Sequence, residues 1–150
     1  MDAIAFLKQE HQKAKAAFAQ VLHGSTQDRG RLWKELKPEL VLHEQIEETY
    51  VYEPLSRDAV SKDAKLGEWE QHHHQEVQKV EGLLKEIDKL DPQESSWMSK
   101  VKEVHSSLEH HIMEEEQDIF PRIGKVWDPS RLEDSGAKME EAKSKTMQHT

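Results

Sequence analysis

One imidazole and one carboxylate interrupt an apolar helical stripe near residue 110, and this feature restricts how the chain can fold. Around the run from His110 to Pro121, one stripe formed by Val104, Leu108, His111, Glu115 and Ile119 recurs at steps of three and four, the period of an amphipathic helix. His111 and Glu115 fall on that stripe. Burying a carboxylate beside an imidazole is costly unless something pairs with both groups, such as a metal ion. The run therefore predicts a helix that turns metal ligands toward a core.

The same His-x-x-x-Glu spacing occurs upstream, at His43 and Glu47. Leu36, Leu40 and Tyr50 share the stripe with these two residues, so this stripe is also largely apolar. Two helices that each turn an imidazole and a carboxylate inward indicate a shared site more strongly than one helix does. Nitrogen and oxygen ligands at the centre of a helical bundle suit iron first, then manganese or zinc.

Two further helices each contribute an inward histidine. The first is predicted from Asp2, a plausible N-cap, to about His23, and His11 lies in the middle of its apolar stripe. On the third helix, His73 lies at the centre of the stripe and His74 at its border, so His74 remains an alternative. Glu70 lies one turn before His73 on the same side and is a further candidate ligand.

The spacing of apolar residues and breakers predicts four long helices and a shorter last one. The predicted ranges after the first helix are about Asp28 to Glu53, Lys62 to Leu90, Glu94 to Ile119 and Arg131 to Lys145. Pro54 is predicted to end the second helix, with residues 54–62 as a link. Long amphipathic helices joined by short turns indicate an all-α, up-down-up-down four-helix bundle. We expect the bundle over residues 1–127, and over 128–150 a loosely packed C-terminal helix with a polar tail.

Composition excludes several classes of function. The chain has no cysteine, so thiolate metal sites, disulfides and cysteine nucleophiles are ruled out. Thirty acidic residues against 21 basic ones give a formal charge of −9, which disfavours nucleic acid and anionic membranes as partners. The beginning of the chain does not resemble a secretory signal, and no stretch approaches the roughly 20 apolar residues of a membrane span. We therefore expect a cytoplasmic protein; its protein partners are not indicated.

Six inward residues form one set, namely His11, His43-x-x-x-Glu47, His73 and His111-x-x-x-Glu115, the last followed by Ile-Phe-Pro. The set resembles the hemerythrin-like (HHE cation-binding) domain family over about residues 3–123. The resemblance implies a centre of two non-haem iron ions inside the bundle, with these six residues as ligands and an oxo bridge left open. It places Glu47 and Glu115 in the bridging positions. The implied partner is a small molecule such as dioxygen, peroxide or nitric oxide.

Two positions differ from the oxygen-carrying members of this family. Those proteins have two histidines one turn apart on the third helix, where this chain has Glu70 at the earlier position. They also place the last carboxylate five residues after its histidine, where Glu116 stands here. These differences favour peroxide or nitric oxide chemistry, or iron sensing without turnover, over reversible oxygen carriage. An enzyme of this kind would resemble a catalase or a peroxidase.

Tyr50 lies one turn beyond Glu47 and is the candidate catalytic residue. Its phenol could donate a hydrogen bond at the metal centre or ligate the metal directly; the alternative is an ordinary core tyrosine. For the two His-x-x-x-Glu pairs, the alternative is an intrahelical ion pair, which stabilises a helix by only about 0.2–0.5 kcal/mol. A metal-free helical interaction module is the corresponding alternative for the whole chain.

Overall fold

The computed structural model describes residues 1–58 and 64–148, and these fold into helices joined by short turns. In chain order the helices are α1 (Ala3–His23), α2 (Arg29–Glu47), π1 (Glu48–Tyr52), α3 (Glu53–Asp58), α4 (Ala64–Asp88), α5 (Ser95–Glu114), π2 (Glu115–Ile119), α6 (Phe120–Val126) and α7 (Pro129–Gln148). Helices α2, π1 and α3 follow one another without a break, as do α5, π2 and α6. Each of these two series forms one continuous helical rod. Together with α1 and α4, the other two rods, they form a four-helix bundle, and α7 is the extra C-terminal helix. The all-α prediction is confirmed.

Two apolar clusters fill the bundle, one on each side of its polar centre. The first contains Leu7 and Val51, and the second contains Phe18 and Leu40. Along each rod, the inward polar residues lie in sequence between residues of the two clusters. In α1, for example, His11 falls between Leu7 and Phe18. The apolar stripes therefore bury the polar residues in the middle of the bundle and keep the two ends apolar.

Both rods that carry a His-x-x-x-Glu pair contain a π-helical turn where the pair ends: π1 begins directly after Glu47, and π2 begins at Glu115 itself. The second rod was predicted to end at Pro54, but the helix continues to Asp58. That prediction was wrong because Pro54 lies inside a continuous helical rod, two residues after π1, and an interior proline can kink a helix without ending it. Pro121 occupies the same place in α6, which continues beyond the predicted end at Ile119. The predicted start of the third helix at Lys62 lies outside the described residues.

Helix α7 packs closely against the start of the chain. Met139 has no exposed surface and lies in the same apolar cluster as Ala3. A Cβ atom added to Gly136 would lie 2.1 Å from the carbonyl oxygen of Met1, so only glycine allows this approach of the two backbones. The loose packing expected for this helix is therefore not what the structure shows.

A search of the described helices for a membrane-spanning segment found none that is both long and apolar enough.

Candidate metal centre

Two groups of imidazole and carboxylate side chains meet in the middle of the bundle. One group is His11, His43, Glu47 and Glu115, and the other is Glu44, Glu47, His73 and His111. Within each group, one ligand atom from every residue lies within 4.8 Å of the others. All four rods contribute, and Glu47 belongs to both groups. The arrangement is therefore a pair of adjoining potential metal sites.

Two fully buried carboxylates connect the groups. The Glu47 Oε1 atom lies 2.7 Å from His43 Nε2 and 3.3 Å from His111 Nε2. The Glu115 Oε1 atom lies 3.0 Å from His11 Nε2 and 3.1 Å from His111 Nε2. Neither carboxylate side chain has any exposed surface. Each carboxylate can therefore place oxygen atoms toward both sites, as a bridging ligand must.

The converging atoms lack hydrogen-bond partners, although they lie close together. The buried Glu47 Oε2 atom has no hydrogen-bond partner among the described residues, and the close contacts of His11 Nε2, His43 Nε2 and Glu115 Oε1 do not have the geometry of hydrogen bonds. Buried polar atoms are normally satisfied, and those that are not call for an explanation such as an ion. Imidazole nitrogen and carboxylate oxygen are ligands for iron, manganese and zinc. The residues present therefore fit a metal pair.

Outer carboxylates orient two of the imidazoles. The Nδ1 atom of His11 lies 2.8 Å from Glu116 Oε2, and the Nδ1 atom of His73 lies 2.9 Å from Glu48 Oε2. A carboxylate at Nδ1 holds the proton on that nitrogen and leaves Nε2 free to bind a metal. Glu116 therefore acts behind His11, and Glu115 faces the pair.

The charges in this centre depend strongly on one another. Burial lowers the pKa of His43, but the carboxylate of Glu47 outweighs it and raises that pKa to about 9. Burial also opposes the charged form of His111, yet Glu115 and Glu47 raise its pKa well above the usual value. Burial would raise the pKa of Glu115, whereas His111 holds it well below the usual value. Without metal, the centre is thus a network of imidazolium and carboxylate groups.

The metal-free protein should lose stability between about pH 7 and pH 9. The pKa of His43 is about 9 in the folded protein and 6.5 as a model value, so the ion pair with Glu47 stabilises the fold fully below the lower pKa. That contribution is lost as the pH rises through the folded pKa, and a shift of this size corresponds to roughly 3 kcal/mol. Urea unfolding of the protein in the presence of a metal chelator, at pH values across this range, measures the loss of stability. The variant His43→Gln should show a flatter profile, and an equally steep one would contradict the assignment.

The structure brings together the six residues of the sequence-predicted set and adds Glu44. The Oε2 atom of Glu44 lies 3.1 Å from His73 Nε2. His74 is exposed and lies beside Gln78, and the half-buried Glu70 belongs to no group of ligand atoms found in the described chain. The sequence analysis did not predict Glu44 as a ligand, because only one stripe of α2 was expected to face the core. Glu44 and Glu48 lie four residues apart on a second stripe, which contacts His73 of α4, and this spacing was the available signal.

Tyr52, and not Tyr50, reaches the centre. The Tyr52 hydroxyl donates a hydrogen bond of 2.7 Å to Glu115 Oε2, and its ring stacks on His73 with 3.9 Å between centroids. Tyr50 is half-buried and packs against the first apolar cluster. The prediction continued the α-helical period beyond Glu47, but π1 spans residues 48–52 and places the next inward position five residues after Glu47.

Replacing Tyr52 with phenylalanine should destabilise the protein by about 2 kcal/mol, the usual cost of removing a donor from a buried charged acceptor. Burial and the nearby Glu115 raise the pKa of Tyr52 well above its usual value, so the phenol remains a donor at neutral pH. The near-ultraviolet spectrum of the metal-loaded variant should also shift. Tyr50→Phe is the matched control and should change neither property. Equal changes in the two variants would contradict the assignment.

Comparisons with known proteins agree with this geometry. Residues 2–123 match the family model described as Hemerythrin HHE cation binding domain. A comparison with curated proteins finds no match. The fold is similar to the crystal structure of a Hemerythrin HHE cation binding domain-containing protein, the Rv2633c homolog from Mycobacterium kansasii. The TM-score is 0.77 at 23% identity, over 98% of this chain and 90% of the other. The chain belongs to the hemerythrin HHE cation-binding domain family.

Proposed function

We propose that this chain is a non-haem di-iron protein that binds or reacts with a small oxidant. The observation that carries the proposal is that Glu47 and Glu115 each approach imidazoles of both ligand groups. Four imidazoles and three carboxylates exceed the needs of one ion, and shared carboxylates reduce the repulsion between two cations. Bound iron would supply redox and Lewis-acid chemistry.

The side chains around the pair would hold it in a defined geometry. Glu48 and Glu116 hold protons on the outer nitrogens of His73 and His11, so both rings present Nε2 inward. Tyr52 fixes one oxygen of Glu115 through its hydroxyl, and the other oxygen remains directed at the imidazoles. Because these partners are themselves packed between helices, the centre needs little rearrangement to accept metal.

A cavity of about 500 Å³ leads toward the second ligand group. Its wall includes the apolar side chains of Val41, Val77, Val80, Val104 and Leu108. The polar residues Glu44, His73 and His111 also line the cavity, whereas the fully buried Glu47 and Glu115 do not. A largely apolar cavity that also borders imidazoles of the second ligand group suits dioxygen, nitric oxide or hydrogen peroxide better than a large charged substrate.

Metal analysis and the optical spectrum of the purified protein, before and after peroxide, test this proposal. We expect about two irons per chain, as a centre with bridging carboxylates requires, and a near-ultraviolet charge-transfer band. Release of oxygen from peroxide would identify a catalase-like enzyme, and a reversible colour change with dioxygen would identify a carrier. Less than one iron per chain, with no effect of chelation on the fold, would favour the metal-free module.

A sensor without turnover is the second candidate. Helix α7 packs on α1, the helix that carries His11, and the Lys143 ammonium pairs with Glu10 next to that ligand. A change in occupancy of the metal pair could therefore reach α7 through α1. This candidate predicts a large effect of iron on stability and no consumption of peroxide.

A further inference from the structure

We call the two adjoining ligand groups in the middle of the bundle the central pair. A third group of potential ligands lies outside them, on the facing sides of α4 and α5. The His72 Nε2 atom lies 3.0 Å from Glu76 Oε1 and 3.6 Å from Glu114 Oε2. These three residues present ligand atoms within 4.8 Å of one another. His110 adds a second imidazole, with Nε2 2.8 Å from Glu114 Oε1. We call His72, Glu76, His110 and Glu114 the outer cluster.

The outer cluster differs from an ordinary exposed charge pair. The Glu114 Oε2 atom is buried and forms no hydrogen bond with any described residue, whereas the buried Glu76 Oε2 atom lies 3.3 Å from His111 Nδ1. The imidazoles of His72 and His110 are open to solvent, with 46% and 57% of their side chains exposed. A buried carboxylate oxygen without a hydrogen bond thus lies beside imidazoles that an aqueous cation can reach. This is the ligand chemistry of a divalent transition metal.

Glu76 links the outer cluster to the central pair. Its Oε1 atom faces His72, and its Oε2 atom lies 3.3 Å from His111 Nδ1. Glu76 and His110 line the same cavity as Glu44 and His111. Because the two bridging carboxylates have no exposed surface, a cation must enter along some path between the helices. The polar part of the cavity wall, which includes Glu76 and His110 as well as Glu44 and His111, offers such a path.

We propose that the outer cluster is an entry site that takes up Fe²⁺ from solution and passes it through the cavity to the central pair. This inference rests on the proposed di-iron function. The step is an exchange of ligands in which the ion remains Fe²⁺, so it needs no oxidant or reductant. A formal charge of −9 raises the local concentration of cations and favours capture at such a site.

Loading kinetics of the double variant His72→Gln/Glu114→Gln test the proposal. After metal-free protein is mixed with Fe²⁺ in air, the near-ultraviolet band should develop about tenfold more slowly than in the wild type, because electrostatic capture is lost. The final iron content should be unchanged. A titration with Mn²⁺, followed by electron paramagnetic resonance, should show one weakly held ion fewer per chain. Glu114→Gln alone repeats the test if the double variant folds poorly.

The double variant His105→Gln/Glu109→Gln is the matched control. It removes another His-Glu pair of α5, with 3.1 Å between His105 Nε2 and Glu109 Oε1, that lies outside the outer cluster. The control should load at the wild-type rate. A test variant that loads within twofold of wild type, or that keeps the weakly held Mn²⁺, overturns the entry site while leaving the di-iron proposal intact. If the wild-type protein never binds cations at the central pair, both proposals are contradicted.

Discussion

Replacing Glu115 with glutamine should abolish binding of both central cations. The Glu115 carboxylate contacts an imidazole of each ligand group and has no exposed surface. An amide keeps the shape but removes the negative charge that offsets repulsion between two adjacent cations. Metal content after equilibration with Fe²⁺ and calorimetric titration measure the loss. We expect less than about one-tenth of the wild-type iron.

Glu116→Gln is the control for this experiment, since the neighbouring carboxylate acts only behind His11. Loss of an outer partner of a ligating histidine typically weakens metal binding by about 10–100-fold. The variant should therefore still fill at high iron concentration. If Glu116→Gln lost the metal pair and Glu115→Gln kept it, the roles of the two residues would be reversed.

Removing iron from the wild-type protein should lower its melting temperature by roughly 10–30 °C. A ligand that binds only the folded state adds about 3–4 kcal/mol per site at 100–1,000 times its dissociation constant. In a chain of this size, each kcal/mol shifts the melting temperature by about 2–4 °C. The centre also draws on all four rods, so a metal pair bound there would crosslink the whole bundle. Calorimetry with and without a chelator measures the shift.

The variant Glu115→Gln again provides the comparison, because a protein that cannot bind the pair should not respond to a chelator. Its melting temperature should be the same with and without chelator. A wild-type protein that melts at the same temperature in both conditions would contradict the metal centre and favour a metal-free interaction module.

The ligand positions on the α-helical period could be read from the sequence. His11, His43 and His111 each interrupt an apolar stripe, and the 3.6-residue period places them inward without any tertiary information. Glu47 and Glu115 follow from the same argument, since one helical turn after an inward residue is again inward. The bundle itself follows because amphipathic stripes of this length must face one another to be buried.

Residues beyond the regular helical period could not be placed in this way. Tyr52 replaces Tyr50 at the centre because π1 changes the period by one residue, and no local signal in the sequence marks such a turn. The contact of Glu44 with His73 depends on how α2 and α4 are rotated against each other. Glu70, one turn before His73, takes part in neither central group of the described chain.

The sequence by itself determined an all-α bundle and the inward positions of His11, His43, Glu47, His111 and Glu115, because helical periodicity is a local property of the chain. It left His73 and His74 as alternatives. Only the tertiary structure decided which carboxylates touch imidazoles from two different helices, which tyrosine donates to Glu115, and that Glu76 links the interior to an outer cluster. Those contacts depend on helix rotation, on the π-helical turns and on distances between residues far apart in the chain, which no local pattern encodes.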